Sequence, residues 1–140
     1  MQEFATVGKL RVAVPKKIKV VIVDDQLADF FERLIKAHSN WFEFQKFKNG
    51  DDAWEALSEE DPDLLITDLF HPGLDGFELL CRLSFKSASF PILVTTTLTS
   101  HAEIKKFYPS LNTQVLTKPF ASADLFNYLS ATFEHLEQWG

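Results

Sequence analysis

Four short apolar runs in this chain each end on polar residues that could do chemistry together. Ile18–Val23 runs into Asp24-Asp25, and Leu64–Thr67 into Asp68. Pro91–Thr97 finishes on Thr95-Thr96-Thr97, and Thr113–Thr117 runs into Lys118-Pro119. If the four runs lie side by side, three carboxylates, a hydroxyl and an ammonium meet at one edge. Unpaired carboxylates packed that closely repel one another by roughly 4 kcal/mol per close pair at an effective dielectric of 20. A hard divalent cation removes that cost, and magnesium takes oxygen ligands, keeps several waters and bridges to phosphoryl oxygens. Lys118 then offers a point charge, and Thr96 a hydroxyl donor, to the same phosphoryl group. A single Asp at a strand end is usually a turn or cap residue, and Lys-Pro alone is only a turn. The joint occurrence after four separate runs is what makes a candidate site.

The elements that must position these groups follow from periodicity. The runs are short, β-branched and nearly continuous, the mark of strands buried on both faces. Phe42–Phe47 (FEFQKF) alternates instead, which places it at an edge of the sheet. Between the runs, apolar residues recur at helical spacing. Examples are Phe30, Phe31, Leu34 and Ile35, then Ala53, Trp54 and Leu57, then Phe77, Leu80 and Leu83. Ser122–Trp139 closes the chain with Leu125, Leu129, Phe133 and Leu136 in one stripe, and Ser122 with Asp124 supplies its start. Five strands alternating with five helices predict a (βα)5 fold: a doubly wound, five-stranded parallel sheet with helices on both faces. In such sheets functional groups gather outside the carboxyl ends of the strands, where the acids, threonines and lysine stand.

Composition excludes several functions. The 140 residues suit one domain, and 46% hydrophobic with 24% charged residues is an ordinary globular balance. A net charge of −6 argues against a nucleic-acid surface. No apolar run approaches the ~20 residues of a membrane span, and MQEF does not begin like a signal peptide. A lone Cys81 rules out an internal disulfide framework. The expectation is a cytoplasmic protein without a membrane or nucleic-acid partner. Residues 1–17 stand apart as an N-terminal arm, an edge strand, tag or linker remnant. In it Leu10, Val12 and Val14 alternate with Arg11, Ala13 and Pro15.

Over residues 18–138 the sequence resembles the receiver domain of two-component response regulators. The resemblance rests on the acidic pair Asp24-Asp25, on DLFHPGLDG (Asp68–Gly76) against the family pattern D-x-x-x-P-x-x-D-G, on a threonine ending the fourth strand, and on KPF (Lys118–Phe120). The Asp25-to-Asp68 and Thr96-to-Lys118 spacings also fit. The resemblance implies a flavodoxin-like strand order 2-1-3-4-5 and a signalling domain rather than an enzyme with its own substrate. It implies Asp68 as phosphoacceptor, Asp25 as direct Mg2+ ligand, Asp24 helping through water, and the Phe70 backbone carbonyl as a further ligand. Thr96 and Lys118 bind the phosphoryl group and read it out. Partners would be a sensor histidine kinase or histidine phosphotransfer protein, and a downstream protein on the face of the fourth helix, fifth strand and fifth helix. A homodimer is also compatible with it.

The chain departs from the family in places. Three consecutive threonines leave Thr97 as an alternative to Thr96, because one residue of slip turns a strand side chain to the opposite face. Three residues before the lysine the family carries Tyr or Phe as a rotating switch; here stands Val115. The small-residue pair that commonly precedes that position is replaced by Leu111-Asn112. Either another group reports phosphorylation, or the output is phosphotransfer alone. The positions that govern water access to the acyl phosphate are apolar, Phe70 and Leu98, which predicts slow autodephosphorylation. His71 either modulates that hydrolysis or simply covers the first turn of its loop.

Two other functions compete. A haloacid-dehalogenase-type phosphatase needs Asp-x-Asp after the first strand, and Asp24-Asp25-Gln26 puts Gln at the needed position. A degenerate receiver acting as a phosphorylation-independent docking module is favoured by Val115 and opposed by Asp25, Asp68, Thr96 and Lys118. The remaining notable residues read as structural: His38, His101 and His135 have no metal-ligand spacing, and Cys81, Trp41, Trp54 and Trp139 read as packing. Most of the 14 phenylalanines belong to the core, while Phe107 and Phe126 are placed near the output face.

Overall fold

Gln2–Val7 (β1) and Leu10–Pro15 (β2) pair antiparallel, from Gln2 opposite Pro15 to Val7 opposite Leu10. They form a two-stranded sheet of their own, so the alternation at Leu10–Val14 does mark a strand, but one paired with its own N-terminal neighbour. The structure, a computed structural model, describes residues 2–97 and 101–134. Leu98, His135, Leu136 and Trp139 therefore lie outside the described residues.

After the hairpin comes the expected alternation. Its elements are Ile18–Val23 (β3), Ala28–His38 (α1), Phe42–Phe47 (β4), Gly50–Glu59 (α2), Leu64–Asp68 (β5) and Gly76–Phe85 (α3). Ile92–Thr96 (β6), His101–Phe107 (α4), Thr113–Thr117 (β7) and Ser122–Thr132 (α5) complete it. The five strands are parallel in the order β4-β3-β5-β6-β7, which counted from β3 is the doubly wound 2-1-3-4-5 order. Phe42–Phe47 lies at an edge, as its alternation predicts.

Strand parity sorts the core into two layers. Val21, Val23, Leu65, Ile92 and Val94 meet Leu57 of α2, Leu79, Leu80 and Leu83 of α3, and Ile104 of α4. Ile18, Val20, Ile22, Leu64, Ile66 and Leu93 meet Phe31 and Ile35 of α1 and Leu125 and Leu129 of α5. Both faces of the sheet are thus covered, which is why the strands read as continuous apolar runs rather than alternating ones.

Helix starts are set by side chains that accept backbone hydrogens. Asn49 Oδ1 accepts from Asp52 N at 2.9 Å at the head of α2, and Asp75 Oδ1 accepts from Glu78 N at 2.9 Å at the head of α3. Helix α5 begins at Ser122, but its cap position is Ala121, and no side chain bonds there; Asp124 lies in the first turn. Behind the Asp75 cap, Gly76 is required by close approach. A Cβ there would run into the Asp68 carbonyl oxygen and the Leu69 Cα, both backbone atoms that cannot turn aside. Gly76 N also donates to Leu69 O at 2.8 Å. The Asp-Gly of the motif is therefore a cap followed by the one residue small enough to seat α3 against the Asp68 peptide.

Two outcomes follow. Gly76→Ala should cost about 3 kcal/mol, as overpacking against backbone does, and urea denaturation will show it as a lower midpoint with an unchanged slope. A loss under about 1 kcal/mol would mean that α3 can back away freely. Burial pushes the Tyr128 phenol on α5 up to about 12, against a partial lowering by its hydrogen bond with Thr132. The unfolded chain releases that proton near pH 10 and the folded chain does not. Its contribution is therefore complete below pH 10 and is lost as pH rises toward 12. Stability should decline over that interval less steeply in Tyr128→Phe than in the wild type.

Candidate functional site

The carboxyl ends of β3, β5, β6 and β7 converge, and the groups singled out in the sequence stand on them. One carboxylate oxygen each from Asp24, Asp25 and Asp68 lie within 4.8 Å of one another. Asp24 is buried at 2% exposure, Asp68 is half-buried and Asp25 is exposed. Lys118 Nζ sits between two of them, 3.2 Å from Asp24 Oδ2 and 3.4 Å from Asp68 Oδ2. The ammonium is itself mostly shielded, so its attraction to both acids is weakly screened.

Asp24 and Asp68 divide their oxygens between backbone and pocket. Asp24 Oδ1 accepts from Gln26 N at 2.9 Å and Leu27 N at 2.8 Å, fixing the turn into α1, while Oδ2 faces Lys118. Asp68 Oδ1 accepts from Leu69 N at 2.7 Å, and Oδ2 faces Lys118. Backbone bonds hold the loops together: Asp24 N donates to Phe47 O at 3.0 Å, and Lys118 N to Thr96 O at 2.8 Å.

Thr96 is the last residue of β6, buried at 1% exposure; Thr97 follows the strand and is exposed. Thr95 is also buried, on the opposite face, and its Oγ1 has no hydrogen-bond partner among the described residues. Phe70 is 53% exposed and sets its ring edge-on to Phe77 at 5.9 Å between centroids. His71 is buried under the loop that follows β5. Val115 is half-buried on β7 opposite Val94, packed on the core layer that Tyr108 also covers. Phe107 is exposed on α4, and Phe126 is half-buried and stacked on His38.

Several participants have no signal in the sequence. Thr67 reads as a strand residue, yet its hydroxyl donates to the Asp68 carbonyl oxygen at 2.8 Å. Asp51 Oδ2 accepts from Leu74 N at 3.2 Å, and Gly50 N donates to Pro72 O at 3.2 Å, so the start of α2 clasps the loop after β5. Tyr108, at the end of α4, donates its hydroxyl to Phe77 O at 3.0 Å, and burial raises its phenol. Apart from the neighbours Thr67 and Asp68, only the tertiary fold brings these pairs together.

Chemically, three acids against one lysine form an anionic pocket of oxygen donors. That donor set fits a hard divalent cation, and among the described residues this is where acidic groups gather closely enough to share one. None of the helices described is long and apolar enough to cross a membrane.

Comparison with known proteins agrees with this geometry. The model of the response regulator receiver domain matches residues 20–130. The chemotaxis protein CheY4 of Vibrio cholerae is 25% identical and superposes with a TM-score of 0.70, over 84% of this chain and 99% of that one. The receiver domain of Francisella response regulator 1452 is 23% identical, with a TM-score of 0.73 over 85% and 98% of the two chains, a likeness of fold. The family match runs from within β3 to within α5 and takes in every strand end of the acidic pocket, so the chain belongs to the response regulator receiver domain family.

Proposed function

We propose that Asp68 accepts a phosphoryl group from a phosphohistidine on a histidine kinase or histidine phosphotransfer protein, and that the new group alters a protein-contact surface. The observation that carries this reading is the division of labour at Asp68. Oδ1 is engaged by Leu69 N, and Oδ2 is turned to Lys118 and the acidic pocket. Oδ2 is therefore the nucleophile. It attacks phosphorus, the P–N bond breaks, and the departing imidazole, already protonated on its other ring nitrogen, keeps the electron pair and leaves neutral. The product is an acyl phosphate on Asp68.

Lys118 and Thr96 stabilise the charge on the transferred group. Lys118 already lies between Asp24 and Asp68, beside the Asp68 oxygen on which the phosphoryl group would form. Asp24, Asp25 and Asp68, with the Phe70 backbone carbonyl, would hold Mg2+. Bound there, the ion would offset the excess of acid and neutralise phosphoryl charge. The chain's own part is positioning: backbone bonds to Asp24 and Asp68 fix both carboxylates before any donor arrives.

The contact surface that responds is the face of α4, β7 and α5, where a downstream protein or a second copy binds. The setting is cytoplasmic. Val115 favours a second reading, a docking module independent of phosphorylation. A β-branched side chain has one preferred rotamer and no ring to swing between two positions.

Incubation with Mg2+ and acetyl phosphate, followed by intact mass, separates the two. The wild type should gain one phosphoryl group, Asp68→Asn none, and Asp25→Asn should react at least about tenfold more slowly. No adduct from acetyl phosphate or from any histidine kinase would leave the docking module. A second outcome concerns lifetime. Positions 70 and 98 govern water access in the family and both are apolar here, so Phe70→Asn with Leu98→Glu should shorten the acyl phosphate's half-life about tenfold once the donor is removed. Equal half-lives would dismiss the shielding role.

A further inference from the structure

One more side chain with chemistry is buried beside Asp68, and the proposed reaction does not use it. His71 is 6% exposed, three residues past the acceptor. Its Nε2 lies 3.5 Å from Thr67 Oγ1, and the Thr67 hydroxyl donates to the Asp68 carbonyl oxygen at 2.8 Å. On the ring's other side is Gly50, where a Cβ would come within 2.8 Å of His71 Cε1. Nδ1 has no hydrogen-bond partner among the described residues.

A hydroxyl has one hydrogen to give. Thr67 gives it to the Asp68 carbonyl, so its oxygen presents a lone pair to the ring, and Nε2 carries the hydrogen between them. A neutral imidazole protonated on Nε2 has a bare Nδ1. The orphan atom is then an acceptor, the less costly kind of buried group to leave unpaired. Both ring nitrogens thus fit one tautomer.

We propose that His71 is a positioning residue for the phosphoryl acceptor, acting through Thr67. The relay from His71 Nε2–H to Thr67 Oγ1–H to the Asp68 carbonyl holds the peptide that carries the nucleophile. From the other side, Gly76 abuts that same carbonyl and its N–H is bonded to Leu69 O. The Asp68 peptide is thereby gripped between a hydrogen-bonded relay and the start of α3. The ring packs against Gly50, whose N–H is bonded to Pro72 O. A leucine or methionine would fill the same volume but bring no N–H, so the histidine's contribution is directional. Small displacements of a nucleophile carry large rate penalties, which is what the relay prevents.

This inference rests on the reading of Asp68 as acceptor, and its test keeps the two separate. His71→Leu keeps volume without the donor, His71→Gln keeps a side-chain N–H, and Thr67→Val removes the hydroxyl at constant shape. The acetyl phosphate reaction is timed for each variant and for the Leu–Val double variant, with melting temperatures alongside. His71→Leu and Thr67→Val should each slow adduct formation about tenfold, the double variant no more than either, and His71→Gln by under about threefold. If Gln is no better than Leu, or rates simply follow melting temperature, His71 is only packing and the proposal falls. If the wild type takes no phosphate, the acceptor reading has failed, and amide hydrogen exchange at Leu69 and Gly76 decides this one. Faster exchange in His71→Leu and Thr67→Val but not in His71→Gln supports the relay; unchanged exchange overturns it.

Discussion

The constraint on which the rest of this structure depends is the crowding of three carboxylates against one ammonium. Asp24, Asp25 and Asp68 have oxygens within 4.8 Å of one another, and Lys118 touches two of them. Such a cluster opposes folding unless the scaffold is stiff enough to impose it. Stiffness comes from parallel strands sealed on both faces, whose ends cannot splay without exposing the two apolar layers beneath. Backbone donors then take one oxygen each from Asp24 and Asp68, so the acids are oriented as well as crowded. The apolar runs and the polar residues that end them are one device: the first makes the second tolerable.

The same economy explains the loop after β5. Its motif specifies two physical requirements, a side chain to cap α3 and a residue without a Cβ to let α3 touch the Asp68 peptide. Asp75 and Gly76 meet them in consecutive positions. The start of α2 closes the loop from the opposite side, through Asp51 on Leu74 N and Gly50 against the Leu74 carbonyl. The loop is therefore not a flexible connection between strand and helix. It is held at both ends of its length by the heads of two helices.

What the sequence shows and what it hides divide along a physical line. Strands, helices and the members of the acidic pocket were legible because each leaves a local trace: an apolar run, a periodicity, a polar residue at its end; the sheet order was implied by the family resemblance. The partner of Leu10–Pro15 was not, since Gln2–Val7 carries little alternation of its own and pairing is decided by register. Thr67 and the surroundings of His71 were hidden for another reason. The sequence offers His71 only as a modulator of hydrolysis or a cover for its loop; its burial, its contact with Gly50 and its approach to Thr67 come with the fold. The strand's end lies between Thr96 and Thr97, a boundary that three consecutive threonines do not mark in the sequence. Burial of loop residues is a tertiary property, and one-dimensional spacing carries no record of it.

Val115 leaves a question of how the pocket is mechanically joined to the rest of the domain, and the first turn of α3 supplies an answer in geometry. Asp75 caps that turn, Gly76 meets the Asp68 carbonyl, and Phe77 receives the other two contacts. The Phe70 ring rests edge-on against Phe77, and the Tyr108 hydroxyl of α4 bonds the Phe77 carbonyl. Three consecutive residues thus join the Asp68 peptide, Phe70 and the end of α4. A helical turn is rigid on this scale, so a displacement of the Asp68 peptide is shared by whatever else is fastened to it. A ring that rotates at position 115 would couple pocket to α4 by switching between two cavities. Here the connection described is a continuous one, through backbone and aromatic contacts.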